Sequence, residues 1–330
     1  MSKKLSITAG DSSTNYASVP GDERHGNSQQ QNSALTSQSS GPCDVKLLLI
    51  ALAAVTALVV SILAVTKSHA GNNNAQQSIV WMDASLYAKK SVMMIAAHPD
   101  DVAGANGAFV AALTAAGANV SVLILTNGNA GCSDNISMAM CAAVRRGEEI
   151  ACDGILGVPA GQVSVLSFFD NHLWDDTYPT FEVMAAIVRG LRQVRPDVVF
   201  TFYPDPMWRL KPSLGYDDMG FHPDHQRTGF LVSSAVSGFA SSDSRIYNRS
   251  YGEPWQPSEM WYWQFGKPTH CYRLTPEELA LKIRAFEEHR SQYTDPLEVA
   301  DWIKEFSILV GSNCGGIGIG IPAEGFERYL

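Results

Sequence analysis

Two short stretches concentrate groups that bind metals and move protons. "AAHPDD", residues 96–101, follows the apolar run 91–95, and "GFHPDHQRTGF", residues 220–230, carries a second His-Pro-Asp triplet. His98 and Asp101 are three apart, as are His222 and His225. Side chains at i and i+3 share a helix face, so each pair can point into one space. A lone His-Pro-Asp triplet is most simply a turn with an Asp N-cap. Two of them, each extended by another potential ligand at a strand-to-helix junction, favour a metal. Two histidines and a carboxylate around an open position form a catalytic zinc pattern. Zinc-bound water ionises near pH 7 instead of near about 15.7, which supplies a nucleophile for an amide or ester carbonyl. A base must then take the water's proton, and a donor must face the developing oxyanion. Asp100 and whichever histidine is left over are available for those tasks.

The elements that must position these residues are legible as alternating signals. "SVMMIAAH" (91–98), "NVSVLILT" (119–126), "VSVLSF" (163–168) and "DVVFTFY" (197–203) are short, nearly all-apolar runs suited to strands buried on both faces. Helical stretches of crossover length lie between them, at 102–116, 137–157 and 181–195, and 225–240 reads as a further helix. The alternation predicts an α/β, Rossmann-like, mostly parallel sheet with helices on both faces. Ligands bind such sheets in the crevice beyond the carboxyl ends of the strands. His98 stands at the end of the first of these strands.

The chain reads as four regions. Residues 1–45, rich in Ser, Gln, Asn and Gly, are expected to be a disordered polar tail. Residues 46–67 hold the uncharged run "LLLIALAAVTALVVSILAVT" (47–66), long enough for a transmembrane helix. Residues 68–90 read as a linker, and 91–330 as the domain. This organisation predicts a single-pass membrane protein of the endomembrane system or cell surface, with a lumenal or extracellular domain slightly preferred because the anchor is internal and follows a polar tail; the three Asn-x-Ser sequons, at Asn119, Asn135 and Asn248, add only weak support. The net charge of −9 and the absence of basic runs disfavour a nucleic-acid partner. Five of the six cysteines fall in the domain, so at least one is expected unpaired, and burial as small hydrophobes is the simplest role for most.

Together these motifs resemble the LmbE/PIG-L family of zinc-dependent N-deacetylases. "AAHPDD" and "FHPDH" resemble its two metal motifs, "TNGNAG" (126–131) its segment after the second strand, and "RRGEEIACDGILGV" (145–158) its Arg-x-x-Glu helix. "RPDVVFT" (195–201) and "KIRAFEEHRSQ" (282–292) follow in the family's order. The resemblance implies removal of acetyl from N-acetylglucosamine-type groups, with an N-acetylated amino-sugar conjugate or glycolipid as partner. It implies His98, Asp101 and His225 as ligands of Zn²⁺, for which Fe²⁺ could substitute. It further implies Asp100 as general base, and His222 as the group that steadies the oxyanion and protonates the leaving amine. Arg145 would contact the sugar or its phosphate, with Glu148 pairing to it one turn on. His289 continues the inward stripe of Leu279, Ile283 and Phe286, either as a core histidine or on the substrate side.

The chain departs from the family at Val102, where a Glu usually follows His-Pro-Asp-Asp. That leaves a catalytically impaired glycan-binding relative, or an amidase acting on a non-sugar acyl group, as alternatives. No Gly-x-Ser-x-Gly elbow occurs, which argues against a serine hydrolase. The glycine-rich 311–322 lacks the phosphate-loop pattern. Trp255, Trp261, Tyr262 and Trp263 read as aromatic packing on a strand in preference to a sugar-stacking wall.

Overall fold

The computed structural model describes residues 78–133, 136–175, 177–204, 222–263, 265–315 and 320–330. The expected polar tail and the segment 47–66 lie outside the described residues. Among the described residues no helix is long and apolar enough to cross a membrane. Against the expectation of a single-pass membrane protein, no membrane span is found among the described residues, and no membrane partner is carried forward.

Among the described residues, eight strands form one mixed sheet in the order β1-β7-β8-β6-β5-β2-β3-β4. They are β1 (Val80–Trp81), β2 (Ser91–Ala96), β3 (Asn119–Thr126), β4 (Val163–Phe168), β5 (Val198–Phe202), β6 (Glu259–Trp263), β7 (His270–Arg273) and β8 (Ala323–Arg328). β2 to β6 pair in parallel, and β8 runs antiparallel to both β6 and β7. The parallel centre matches the apolar runs, because strands covered on both faces need no polar alternation. β1 and a short 3₁₀ turn at Ala84–Tyr87 precede residue 91, inside the span read as linker. The Trp-Tyr-Trp run lies on β6 with Trp263 fully buried, so it packs the core.

The helices are α1 (Asp101–Ala115), α2 (Met138–Ile155), α3 (Thr180–Val194), α4 (Pro223–Ser234), α5 (Pro276–Phe286) and α6 (Pro296–Asn313). α5 packs on both α1 and α2, whereas α3 packs on α4, as crossovers running opposite ways along the sheet require. α5 opens with the capping box of Thr275 and Glu278 that its sequence advertises. α1 is buried all round and kinks at Asn106, whose φ is −138°. The amide N–H groups freed by the kink, of Ala108 and Phe109, donate to the Glu324 carboxylate at 3.0 and 2.8 Å. Lys282 Nζ completes the staple, donating to Glu324 Oε1 at 2.8 Å and to the Ala105 carbonyl at 3.1 Å.

Four of the five domain cysteines are not lone hydrophobes. Cys132 pairs with Cys141 and Cys271 with Cys314, their Cα atoms 5.9 and 6.1 Å apart, while Cys152 is free and buried. Spacing in sequence did not reveal that the fold brings each pair within bridging range.

Glu324→Ala removes one partner of a buried ion pair together with two helix-amide acceptors. It is expected to destabilise the fold by about 3–5 kcal/mol in urea unfolding; an unchanged midpoint would contradict the staple.

Candidate active site

The chain leaves β2 toward β3 and β5 toward β6, yet β2 and β5 are neighbours. This is a topological switch point, where diverging loops open a crevice at the strands' carboxyl ends. The loop after β2 carries His98–Asp101, and the residues opening α4 follow β5. A cavity of about 610 Å³ lies there, with His98, Asp100, Asp101, Arg145, His222 and His225 in its wall.

Asp101 folds the first loop back on itself: Oδ2 accepts the N–H groups of Ala97 and His98 at 3.1 and 2.7 Å. The same carboxylate stands 3.0 Å from His225 Nε2 through Oδ1 and 3.5 Å from His98 Nδ1 through Oδ2. His98 Nδ1 and His225 Nε2 are 3.0 Å apart. Donors held about 2.0–2.1 Å from one tetrahedral ion lie roughly 3.3–3.4 Å from each other, so these separations suit a shared ion. On its other side, His98 Nε2 meets Asp170 Oδ1 at 3.1 Å and Asp224 Oδ2 at 3.3 Å. Those acceptors select the tautomer with the proton on Nε2, leaving the Nδ1 lone pair for a metal. His225 is held by stacking on Phe202, with centroids 4.1 Å apart and planes 8° from parallel.

His222 stands beside them, its ring 4.5 Å from that of His98. Its Nδ1 accepts the Asp224 N–H at 3.3 Å and caps α4. Among the described residues, two overlapping groups are close enough to hold a metal ion: His98 with His222 and His225, and His98 with Asp170 and Asp224.

The pKa shifts follow from burial and crowding. Burial works against charge on His98, but Asp101, Asp170 and Asp224 around it hold its pKa well above the usual imidazole value. Burial also opposes charge on Asp101, and the imidazoles of His225 and His98 overcome it, keeping that carboxyl well below the usual range. Burial pushes Asp100 up to about 6, against the pull of Arg145. Burial, then repulsion from His98 and His225, pushes His222 down to about 4.

Arg145 is only 2% exposed, and its guanidinium serves the protein. Nη1 donates to the Gly128 carbonyl at 2.8 Å and to Asp170 Oδ2 at 3.1 Å; Nη2 donates to the Pro99 carbonyl at 2.6 Å and lies 3.5 Å from Asp100 Oδ2. The side chain also reaches the cavity wall, on the side where the resemblance implies a sugar or phosphate contact. Gly128, at φ +64°, leaves the room: a Cβ there would stand 2.7 Å from the guanidinium carbon. Glu148 does not pair with Arg145. Its oxygens accept the Ser291 N–H at 2.8 Å and the Ser291 hydroxyl at 2.6 Å. The carboxylate on Arg145's face of α2 is Glu149, one full turn on. His289 is fully buried behind the cavity, as its stripe implied. Its Nε2 lies 3.6 Å from Glu149 Oε2, but burial and the Arg145 charge push its pKa down to about 3, so the two do not form an ion pair at neutral pH. Val102 is fully buried in the core.

Sequence reasoning missed Asp170, Asp224, Glu149 and Tyr293. Asp224 lies inside the second motif, and Asp170 follows the predicted strand β4 at its carboxyl end, which is the signal that could have found it. Tyr293 donates its hydroxyl to Asp100 Oδ2 at 3.3 Å, and nothing in its local pattern marks it.

A doubly wound α/β sheet with a metal-competent crevice at its switch point defines the class. A family profile described as GlcNAc-PI de-N-acetylase (PIG-L) matches residues 93–236. The diacetylchitobiose deacetylase of Thermococcus kodakarensis is 35% identical over 211 residues, covering 62% of this chain and 71% of that one. A 1D-myo-inositol 2-acetamido-2-deoxy-alpha-D-glucopyranoside deacetylase of Rhodococcus jostii is 28% identical, covering 53% of this chain and 61% of that one. Among solved structures, the N,N'-diacetylchitobiose deacetylase of Pyrococcus horikoshii superposes with a TM-score of 0.59 at 28% identity, over 73% of this chain and 84% of that one. The chain belongs to the PIG-L/LmbE family and is an N-deacetylase, a hydrolase of amide C–N bonds.

Asp170→Asn is expected to leave the fold intact by circular dichroism and to weaken divalent-ion binding by about 10–100-fold in chelator competition. Unchanged affinity would contradict the link from Asp170 through His98 to the ion.

Proposed function

We propose that this chain removes acetyl from an N-acetylglucosamine-type residue of a sugar conjugate or glycolipid, with one divalent ion, zinc or ferrous iron, held by His98, Asp101 and His225. The observation that carries this reading is the meeting of those three donors, 3.0–3.5 Å apart, at the mouth of the switch-point crevice. His222 is the weaker candidate for a ligand because it is spent on capping α4. Asp170 and Asp224 orient His98 from its far side. The substrate class rests on the names of the relatives, which act on N-acetylated glucosamine linked to a second sugar or to inositol.

When bound, such an ion lowers the pKa of adjacent water and polarises the acetamide carbonyl. Asp100, with its pKa near 6, takes the proton from water as the oxygen adds to the carbonyl carbon. It returns that proton to nitrogen as the C–N bond breaks, giving acetate and a free amine. Tyr293 and Arg145 hold its Oδ2, leaving Oδ1 for the water. His222 is neutral at pH 7, and its Nδ1 accepts a backbone N–H, so its own proton sits on Nε2. That N–H faces the developing oxyanion as a neutral donor. The leaving amine therefore receives its proton from Asp100, not from His222.

Asp100→Asn is expected to retain the metal and lose about 100- to 10,000-fold in acetate release from N,N'-diacetylchitobiose. Full activity in that variant would defeat the assigned base. Absence of acetate release by the metal-loaded parent from every N-acetylglucosamine conjugate tried would defeat the function.

A further inference from the structure

The turn between β2 and α1 has a conformational problem. Asp100 stands at φ 110° and ψ −27°, a positive-φ conformation that is uncommon for an L residue, although Asp tolerates it better than most, and that costs free energy unless its surroundings hold it. The carbonyl of Pro99 and the N–H of Asp100 are the two poles of a single peptide plane. The carbonyl receives Arg145 Nη2 at 2.6 Å, and the N–H donates to Glu149 Oε2 at 2.8 Å. Arg145 and Glu149 are four residues apart on α2 and share a face. One helix face thus grips both ends of one peptide bond, with a cation at its oxygen and a carboxyl at its nitrogen.

The clamp is directional. The proline ring fixes φ at Pro99, so the plane turns by paired rotation of ψ at Pro99 and φ at Asp100. A flip would take Asp100 out of the left-handed region, but it would strip the Pro99 carbonyl of the Arg145 guanidinium and set the Asp100 N–H against that guanidinium, donor facing donor. Glu149 is itself costly where it stands: it is 1% exposed, its Oε1 has no hydrogen-bond partner among the described residues, and the nearby His289 is neutral. A buried carboxyl with so little compensation calls for a reason. Glu149 reaches the turn from a different helix.

We propose that Glu149, acting with Arg145, is a positioning residue that locks the Pro99–Asp100 peptide in the orientation that aims the Asp100 carboxylate into the cavity. Its kinetic consequence rests on Asp100 being the base; the peptide orientation does not.

The test compares Glu149→Ala and Glu149→Gln in metal-loaded full-length protein, by crystal structure and by steady-state acetate release from N,N'-diacetylchitobiose. Glu149→Ala is expected to turn the Pro99 carbonyl away from Arg145, bring φ of Asp100 negative, and lower kcat by about 100-fold, with KM and metal content unchanged. Glu149→Gln keeps an acceptor oxygen, so it is expected to hold the parent peptide orientation and a kcat within about threefold of the parent. Should the alanine variant not fold, Glu149→Met, equally long and without an acceptor, is read in its place. An unflipped peptide in the alanine or methionine variant, or a flipped one in the glutamine variant, overturns the proposal. A parent without acetate release defeats the proposed function and leaves the crystallographic comparison to decide the clamp.

Discussion

The crowding of buried carboxylates at one sheet edge governs the rest of the structure. Asp100, Asp101, Asp170 and Asp224 are each no more than 9% exposed; the last three converge on His98, and Asp100 beside them faces the Arg145 guanidinium. Carboxylates taken out of water at this density repel one another unless positive charge is placed between them. The protein meets part of the demand with Arg145 and with a strongly basic His98. A divalent cation between His98, Asp101 and His225 would meet the remainder, and the same neutralisation would leave His98 free to be a neutral ligand. The charge that makes the cluster costly to fold is what suits it to a metal.

Each positioning element traces back to that cluster. Asp101 ties down the backbone of its own loop and also presents an oxygen to His225. Asp224 takes two backbone amides, of Asn171 and Leu173, and so anchors the loop after β4 beside His98. Arg145 crosses behind the loop, and the small residues at 128 and 131 leave space for it. Rigidity at the crevice thus comes from charged side chains spanning between loops, while the parallel strands beneath fix where those loops begin.

Much of this was legible in the residues themselves. The central strands and their crossover helices fall within a few residues of the apolar runs and breakers that predicted them, because burial on both faces imposes a strong compositional signal. The edge formed by β1, β7 and β8 was not legible. β1 and β7 are two and four residues long, too short for a period to register, and β8 follows a glycine-rich stretch. Within the site, the motif residues were found because their chemistry is unusual in sequence. The residues that hold them were missed or misassigned because helix register decides contact: Glu148 and Glu149 are adjacent in sequence, yet one reaches Ser291 and the other the catalytic turn. The disulfides and the neutral state of His289 depend on three-dimensional neighbours that no local pattern reports.

The central claim is that imidazoles from two distant turns share one ion with the carboxylate of Asp101. Zinc K-edge X-ray absorption on the metal-loaded protein tests it most directly, read against His225→Ala. The account predicts a low-coordinate nitrogen/oxygen shell at about 2.0–2.1 Å with outer-shell scattering from two imidazoles, falling to one in the variant. A shell without imidazole scattering, or one that the variant leaves unchanged, would contradict it.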